Sequence, residues 1–246
     1  LLLQMKRIIY IMCMALSSLT LCTACDDGRI PEKVRDITEK GRVATLDADI
    51  TGTASWAKGY TVSLAGFTDD GTYAEISKDI KPDANGHVNL TLPGIPDEVT
   101  KLEVCVINSI RKRVVTLYTT TATDNGDTIR IKPDAAINAG MLAAIQANLF
   151  DKQCAHCHSG SAWAASLNLN DGKSYAQLVN VASAKEPGKM RVLPGQADAS
   201  VLYEALATNM SSPDEGNWKH DHSNIMVTDR TGLQLLKDWI DSGAKE

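Results

Sequence analysis

The spacing of apolar residues changes near residue 135, and this change limits the folds that the chain can adopt. Between residues 41 and 133 apolar residues alternate with polar ones, as Leu46, Ala48 and Ile50 do. From residue 141 onward they recur at helical spacing, beginning with Met141, Ala144, Ile145 and Leu149. A period of two indicates strands and a period near 3.6 indicates helices. The sequence therefore predicts two domains, 41–135 and 136–246.

The first of these segments has the pattern of a β-sandwich. Its alternating runs are short, and Asp-Gly, Asn-Gly and Pro-Gly pairs separate them, which is typical of turns between antiparallel strands. About seven strands in such a length resemble an immunoglobulin-like or fibronectin-type domain. Cys105 has no partner cysteine in the segment, and we interpret it as an inert thiol.

The second segment is predicted to be all-α. Apolar spacing indicates helices over 141–149, around Ala176 to Val179, and over Val201 to Ala207, where Ser200 is the expected N-cap. A last helix is expected from Asp229 to Asp241, with Thr228 as its cap and Gly243 as its end. The predicted fold class is thus multidomain, an N-terminal antiparallel β-sandwich followed by an all-α domain.

The N-terminus has the pattern of an export signal. Lys6 and Arg7 precede an apolar run of 14 residues, Ile8 to Leu21. At 1.5 Å per residue this run reaches about 21 Å, which is short of a bilayer core of about 30 Å. We therefore interpret residues 1–24 as a secretory signal peptide.

The end of this signal, Leu21-Cys22-Thr23-Ala24-Cys25, resembles the lipobox of bacterial lipoproteins. The resemblance implies that Cys25 is acylated and becomes the mature N-terminus, with ordinary signal cleavage near Ala24 as the alternative. Residues 25–40 are then a lipidated tether. The expected location is the cell envelope of a Gram-negative-type bacterium, with the outer membrane or cell surface favoured over the inner membrane.

Charge and motif content exclude several classes of function. The chain has 25 basic and 30 acidic residues, a net charge of −5, so it lacks the basic surface of a nucleic-acid binder. Nucleotide-binding, serine-hydrolase and zinc-protease motifs are absent from the sequence. We therefore expect no nucleic-acid partner, and we favour a non-enzyme over an enzyme.

The motif Cys154-Ala155-His156-Cys157-His158 carries the functional prediction. C-x-x-C-H is the attachment pattern of haem c, in which two thiols add to the two vinyl groups and the histidine binds iron. Three alternatives remain at this point. They are a redox dithiol, a structural disulfide, and a zinc site that His220 and His222 complete.

The order of further short motifs resembles the class I cytochrome c domain of exported bacterial proteins. The residues that carry the resemblance are Leu167-Asn168-Leu169, Tyr175-Ala176-Gln177-Leu178, Pro194-Gly195, Ser200-Val201-Leu202-Tyr203 and Trp239-Ile240-Asp241-Ser242-Gly243-Ala244. The resemblance implies one covalent haem c, with thioethers to Cys154 and Cys157 and with His158 as the proximal iron ligand. It implies Met226 as the distal ligand, with His220 and His222 as rivals.

These features predict a membrane-anchored, exported mono-haem electron carrier with a redox protein as its partner. Two other functions stay open. An open distal position would suit a haem enzyme or a sensor. The β-sandwich could instead make the chain a surface binding lipoprotein, with Trp56 and Tyr60 as contact residues.

Overall fold

The alternating segments form strands, and the strands form two sheets. The computed structural model describes residues 41–246 apart from 123–127, 160–163 and 213–217. The described strands are β1 (Arg42–Thr51), β2 (Tyr60–Phe67), β3 (Ile76–Asp79), β4 (His87–Ile95), β5 (Lys101–Asn108), β6 (Arg113–Thr121), β7 (Ile129–Ile131) and β8 (Ile137–Asn138). The predicted signal peptide, the tether and Cys25 lie outside the described residues.

One sheet contains both antiparallel and parallel pairs. Its order is β4-β1-β7, and β8 also pairs with β1. β1 and β4 are antiparallel, with Leu46 opposite Leu90, whereas β1 and β7 are parallel, with Leu46 opposite Ile131. β8 is also parallel to β1. The second sheet, in the order β3-β2-β5-β6, is antiparallel throughout.

The prediction of a purely antiparallel sandwich is therefore wrong. Alternation determines which side chains point to the core, because successive residues of a strand face opposite sides. It does not determine whether the neighbouring strand runs in the same or the opposite direction. The chain leaves β6 at the edge of the second sheet and returns as β7 beside β1, in the direction of β1.

Short helices and connecting segments make up most of the chain after β8. The α-helices are α1 (Met141–Ile145), α2 (Ser174–Leu178), α3 (Val201–Ala207) and α4 (Arg230–Asp241), and a π-helix over Gln146–Cys154 continues α1. Single 3₁₀ turns occur at Thr53–Ser55, Ala164–Ser166, Ala197–Ala199 and Ser223–Met226. Isolated bridges, such as Val179 with Val192 and Met190 with Ser200, join the segments between helices.

The predicted all-α class I cytochrome c domain is not present, so both that resemblance and the predicted fold class are wrong. Among the described residues there are eight strands and four α-helices, and three of these helices have only five to seven residues. No described group of three or more His, Cys, Asp or Glu side chains is placed to hold a metal ion. The helical spacing is real but local. The helices expected around Ala176 and over Val201 to Ala207 form, whereas turns and isolated bridges make up much of the described chain between them.

A common core joins the sheets to the helices. The described residues from 41 onward belong to one compact unit, and one apolar cluster includes Leu46 and Val104 of the strands together with Ile145 and Trp239 of the helices. The boundary at residues 135 and 136 marks the change of pattern in the sequence, and as a domain limit it stays a prediction. Within the described residues, no helix is long and apolar enough to cross a bilayer.

Polar contacts reinforce this common core. The Trp56 indole Nε1 donates to the Ala139 carbonyl at 2.6 Å, and the Met141 amide donates to Ser55 Oγ at 2.8 Å. The Tyr60 hydroxyl donates to Asp238 Oδ2 at 2.5 Å, which links β2 to α4. Burial is the main cause that raises the pKa of the Tyr60 phenol above its ordinary value, and the hydrogen bond to Asp238 raises it further.

This phenol makes stability sensitive to alkali. The folded protein holds the Tyr60 proton more tightly than the unfolded chain does. The protonated phenol therefore contributes its full stabilisation below a pH of about 10, and this stabilisation is lost as the pH rises toward the raised pKa. We expect the difference in the free energy of unfolding between wild type and Tyr60→Phe to shrink as the pH rises from about 9 to about 11, measured by urea unfolding. Tyr73→Phe is the matched control, since Tyr73 is half exposed. A constant difference between wild type and Tyr60→Phe over this range would contradict the assignment.

Candidate cofactor-binding site

The helix that leads into the C-x-x-C-H motif widens before it ends. The Ala155 amide donates to the Phe150 carbonyl at 2.8 Å, so this hydrogen bond spans five residues. π-Helical turns of this kind are rare and are frequent at functional sites. Leu149 and Phe150 are buried, which anchors the segment in the core. The motif therefore begins on a fixed part of the structure.

The motif itself forms one helical turn. The amides of Cys157 and His158 both donate to the Cys154 carbonyl, at 3.1 and 3.0 Å. Cys154 is buried, Cys157 is exposed, and both are free thiols. Burial raises the pKa of the Cys154 thiol to about 12. Cys154 therefore lacks the thiolate character of an attacking redox cysteine.

Hydrogen bonding fixes the orientation of the His158 ring. Its Nδ1 lies 3.1 Å from the Ala164 carbonyl oxygen. Because a carbonyl can only accept, Nδ1 must carry the proton, and the lone pair is then on Nε2. Burial lowers the pKa of His158, although the carbonyls of Ala164 and Leu167 oppose this effect. A neutral imidazole with a lone pair on Nε2 is the form that binds metals.

Arg191 holds the turn that presents the Ala164 carbonyl. Ala165 and Ser166 have positive φ values of 53° and 52°, a left-handed conformation that is costly for residues with a side chain. The Arg191 guanidinium donates to both of their carbonyls at 3.2 Å and to the Gln177 carbonyl at 2.8 Å. Arg191 is therefore a positioning residue, which acts on His158 through this turn.

The motif opens onto a cavity of about 510 Å³. Pockets for organic ligands usually have about 300–1,000 Å³ and mostly apolar walls. Cys154, Cys157 and His158 all line this cavity. Its wall is otherwise largely apolar, with Leu167, Leu169, Leu178, Val201, Leu206 and Ile225.

Among the described residues, most of the charged side chains on the same wall are basic. The described wall includes Lys185, Arg191 and Lys219, against the single carboxylate of Asp221. The wall therefore suits a largely apolar ligand that carries one or two negative charges.

The segment from Trp218 to His222 forms another part of the wall, and it brings His222 close to His158. The two imidazole centroids are 6.2 Å apart and the rings are inclined by 36°. The Trp218 ring meets His222 edge-on, with centroids 5.7 Å apart. The Trp218 indole Nε1 donates to Glu186 Oε1 at 2.6 Å, which anchors Trp218.

Met226 lies elsewhere. It ends the 3₁₀ turn Ser223–Met226, is 1% exposed, and belongs to the apolar core. The described wall of the cavity includes Ile225 but not Met226. The structure thus brings together the three motif residues and His222, and the assignment of Met226 as an iron ligand stays a prediction.

Cys105 is remote from this chemistry. It is fully buried in a small cluster with Ala65, Phe67, Ala74 and Ile107. Burial raises the pKa of its thiol to about 12. This environment is that of an inert core residue, as the sequence predicts.

Neither a scan against protein-family models nor a search of curated proteins gave a match to this chain. The functional assignment therefore depends on the residues of the site.

Proposed function

We propose that this protein binds one haem c covalently through Cys154 and Cys157 and acts as an electron carrier. The observation that carries the proposal is the geometry of the motif. Two free thiols one helical turn apart and a histidine with its Nε2 lone pair available all line one largely apolar cavity. The proposal concerns the motif and its cavity, and it does not include a class I cytochrome c fold.

The donor groups fit the chemistry of haem attachment. In each attachment the S–H bond adds across a vinyl C=C bond, so a thioether forms without net oxidation or reduction. Cys154 and Cys157 would provide the two sulfurs, and His158 would bind the iron through Nε2. Lys219 on the described wall would complement a carboxylate of haem.

Haem supplies a one-electron couple when it is bound, and the chain tunes its potential through the axial ligands and the burial of the site. The apolar wall would limit the access of water to a haem bound there. Arg191 keeps the His158 ring in one orientation through the turn at Ala164–Ser166. A His158 ring that is held in one orientation would move little when the oxidation state changes, and a small rearrangement suits electron transfer.

The proposal is tested with protein produced in cells that contain the haem c maturation machinery. We expect a purified protein with a c-type spectrum that is reduced and reoxidised reversibly, with a one-electron titration curve. Purified protein without bound haem would contradict the proposal. A bound haem that turns over a substrate but does not exchange electrons with a protein donor would favour the enzyme alternative.

We also propose that Cys25 anchors the protein by acyl chains in the cell envelope, at the outer membrane or cell surface, where a redox protein is its partner. Haem c is attached outside the cytoplasmic membrane, which agrees with the export signal at residues 1–24. One acyl chain gives marginal membrane binding and two give stable binding.

We expect Cys25→Ser to move the protein from the detergent phase to the aqueous phase in a detergent partition assay, because the acyl chains can no longer be attached. Cys13→Ala is the matched control, since it changes another cysteine of the predicted signal peptide but lies outside the lipobox, and it should stay in the detergent phase. Equal partition of wild type and Cys25→Ser would contradict the anchor.

A further inference from the structure

We propose that His222 provides the second axial ligand, so that His158 and His222 bind the haem iron from opposite faces. This inference rests on the proposed function, because it requires haem in the cavity. It deepens that function by naming the residue that closes the distal face. Met226 and His220, the other residues considered for this position, are then not ligands.

Both imidazoles are prepared for metal binding in the same way. His222 Nδ1 lies 3.0 Å from the His220 carbonyl oxygen, and His158 Nδ1 lies 3.1 Å from the Ala164 carbonyl oxygen. Since these carbonyls only accept, each Nδ1 carries a proton and each Nε2 carries a lone pair. Histidines that bind metals commonly donate their other ring N–H to a carbonyl or carboxylate.

The separation of the rings matches ligation of one iron from two sides. Imidazole nitrogen lies about 2 Å from the metal in protein sites and about 1.2 Å from the centre of its own ring, so two axial imidazoles have centroids ~6.4 Å apart. The observed centroid distance is 6.2 Å. The inclination of 36° is also compatible, because two axial imidazoles can adopt any angle about their common axis.

The surroundings of His222 hold it at the cavity. Trp218 packs edge-on against its ring, and the hydrogen bond from Trp218 to Glu186 fixes that indole. The Ile225 amide donates to the His222 carbonyl at 3.1 Å, which begins the following 3₁₀ turn. Contacts therefore restrain both the backbone and the side chain of His222.

The rivals lack these features. Met226 is 1% exposed in the core and is not on the described wall. His220 lines the cavity but is exposed, and its carbonyl accepts a hydrogen bond from the His222 ring. A redox centre with two histidines has a lower potential than one with histidine and methionine.

The test compares His222→Ala, Met226→Leu and His220→Ala, each made as the matured holoprotein and first checked for covalent haem on a denaturing gel. We expect ferric wild type to be low-spin by electron paramagnetic resonance and to lack the near-infrared band of methionine-to-iron coordination. His222→Ala should become high-spin and, when reduced, should bind carbon monoxide with a large Soret shift. Met226→Leu, which conserves side-chain volume, and His220→Ala should both keep the wild-type spectrum.

Rescue with free imidazole separates ligation from folding. Added imidazole should return His222→Ala to the low-spin spectrum, which a misfolded protein would not show. A methionine band in wild type that Met226→Leu removes would overturn the inference while leaving the covalent haem, and hence the proposed function, intact. A low-spin spectrum of His222→Ala without added imidazole would also overturn it. Absence of covalent haem from wild type would overturn both proposals.

Discussion

We expect the double variant Cys154→Ala/Cys157→Ala to lose all of the haem that resists denaturation, whereas wild type retains one haem per chain. The two thioethers are the only covalent bonds in the proposed site, and axial bonds to iron do not survive unfolding and acid extraction. Each single variant keeps one thiol on the same turn and should retain a smaller amount. The measurement is haem absorbance per protein after denaturing electrophoresis.

Cys105→Ala is the matched control for this experiment. It also removes a buried thiol, but from the cluster around Phe67 and Ile107 in the second sheet. It should cost about 1 kcal/mol in stability through the small cavity that it leaves, and it should retain the full amount of haem. Haem that remains covalently bound in the double variant would contradict the assignment of Cys154 and Cys157.

The largest expected effect on stability is that of Trp239→Ala. Trp239 is fully buried, and its indole Nε1 donates to the Lys245 carbonyl at 2.7 Å. Truncation should lower the free energy of unfolding by ~3–5 kcal/mol, because it leaves a large cavity and removes the hydrogen bond to the Lys245 carbonyl. This is a large share of the ~5–15 kcal/mol that stabilises a typical domain. Urea unfolding, followed by circular dichroism, measures it.

Trp239→Phe separates the two causes. It keeps most of the apolar contact and loses the hydrogen bond, so we expect a smaller loss of about 1–2 kcal/mol. α1 and α4 are in contact, and α1 continues into the segment that carries Cys154, so Trp239→Ala should also reduce the yield of haem-loaded protein. A Trp239→Ala variant as stable as wild type would contradict this account of the core.

Local patterns in the sequence predict single elements well. The alternation around Leu46, Ala48 and Ile50 corresponds to β1, and all three residues are buried. Gly243, predicted to end the last helix, has a φ of 106°, and the helix ends at Asp241. The cap of that helix was predicted at Thr228, whereas Asp229 accepts the Gly232 amide at 2.7 Å. Thr228 and Asp229 are both good caps, so composition alone does not decide between them.

Long-range arrangement is what the local patterns miss. The parallel pairing of β1 with β7 and β8 depends on the path of the chain between sheets, and no periodicity encodes that path. The resemblance to an all-α domain came from short motifs in order, yet most of the described residues between 155 and 200 are not helical. Ser200 is the N-cap residue of α3, as the sequence predicts, but its Oγ bonds the Leu193 amide and the Gln196 carbonyl and not the amides of the helix.

The site, too, is predictable from local sequence only in part. One helical turn places Cys154, Cys157 and His158 together, so their spacing in sequence is sufficient to predict a common site. His222 is far from them in sequence, and only the route of the Trp218–His222 segment brings it near His158. In the sequence, the pair His220 and His222 indicates a candidate second ligand. The choice between these histidines and Met226 requires the structure of the loop.

The central claim is that Cys154 and Cys157 hold one haem. Its most direct test is the intact mass of the denatured, purified wild-type protein after production with the maturation machinery, followed by the mass of the peptide that contains residues 154–158. We predict a mass increase of one haem, located on that peptide. An unmodified mass, with both thiols reactive toward an alkylating reagent, would contradict the claim.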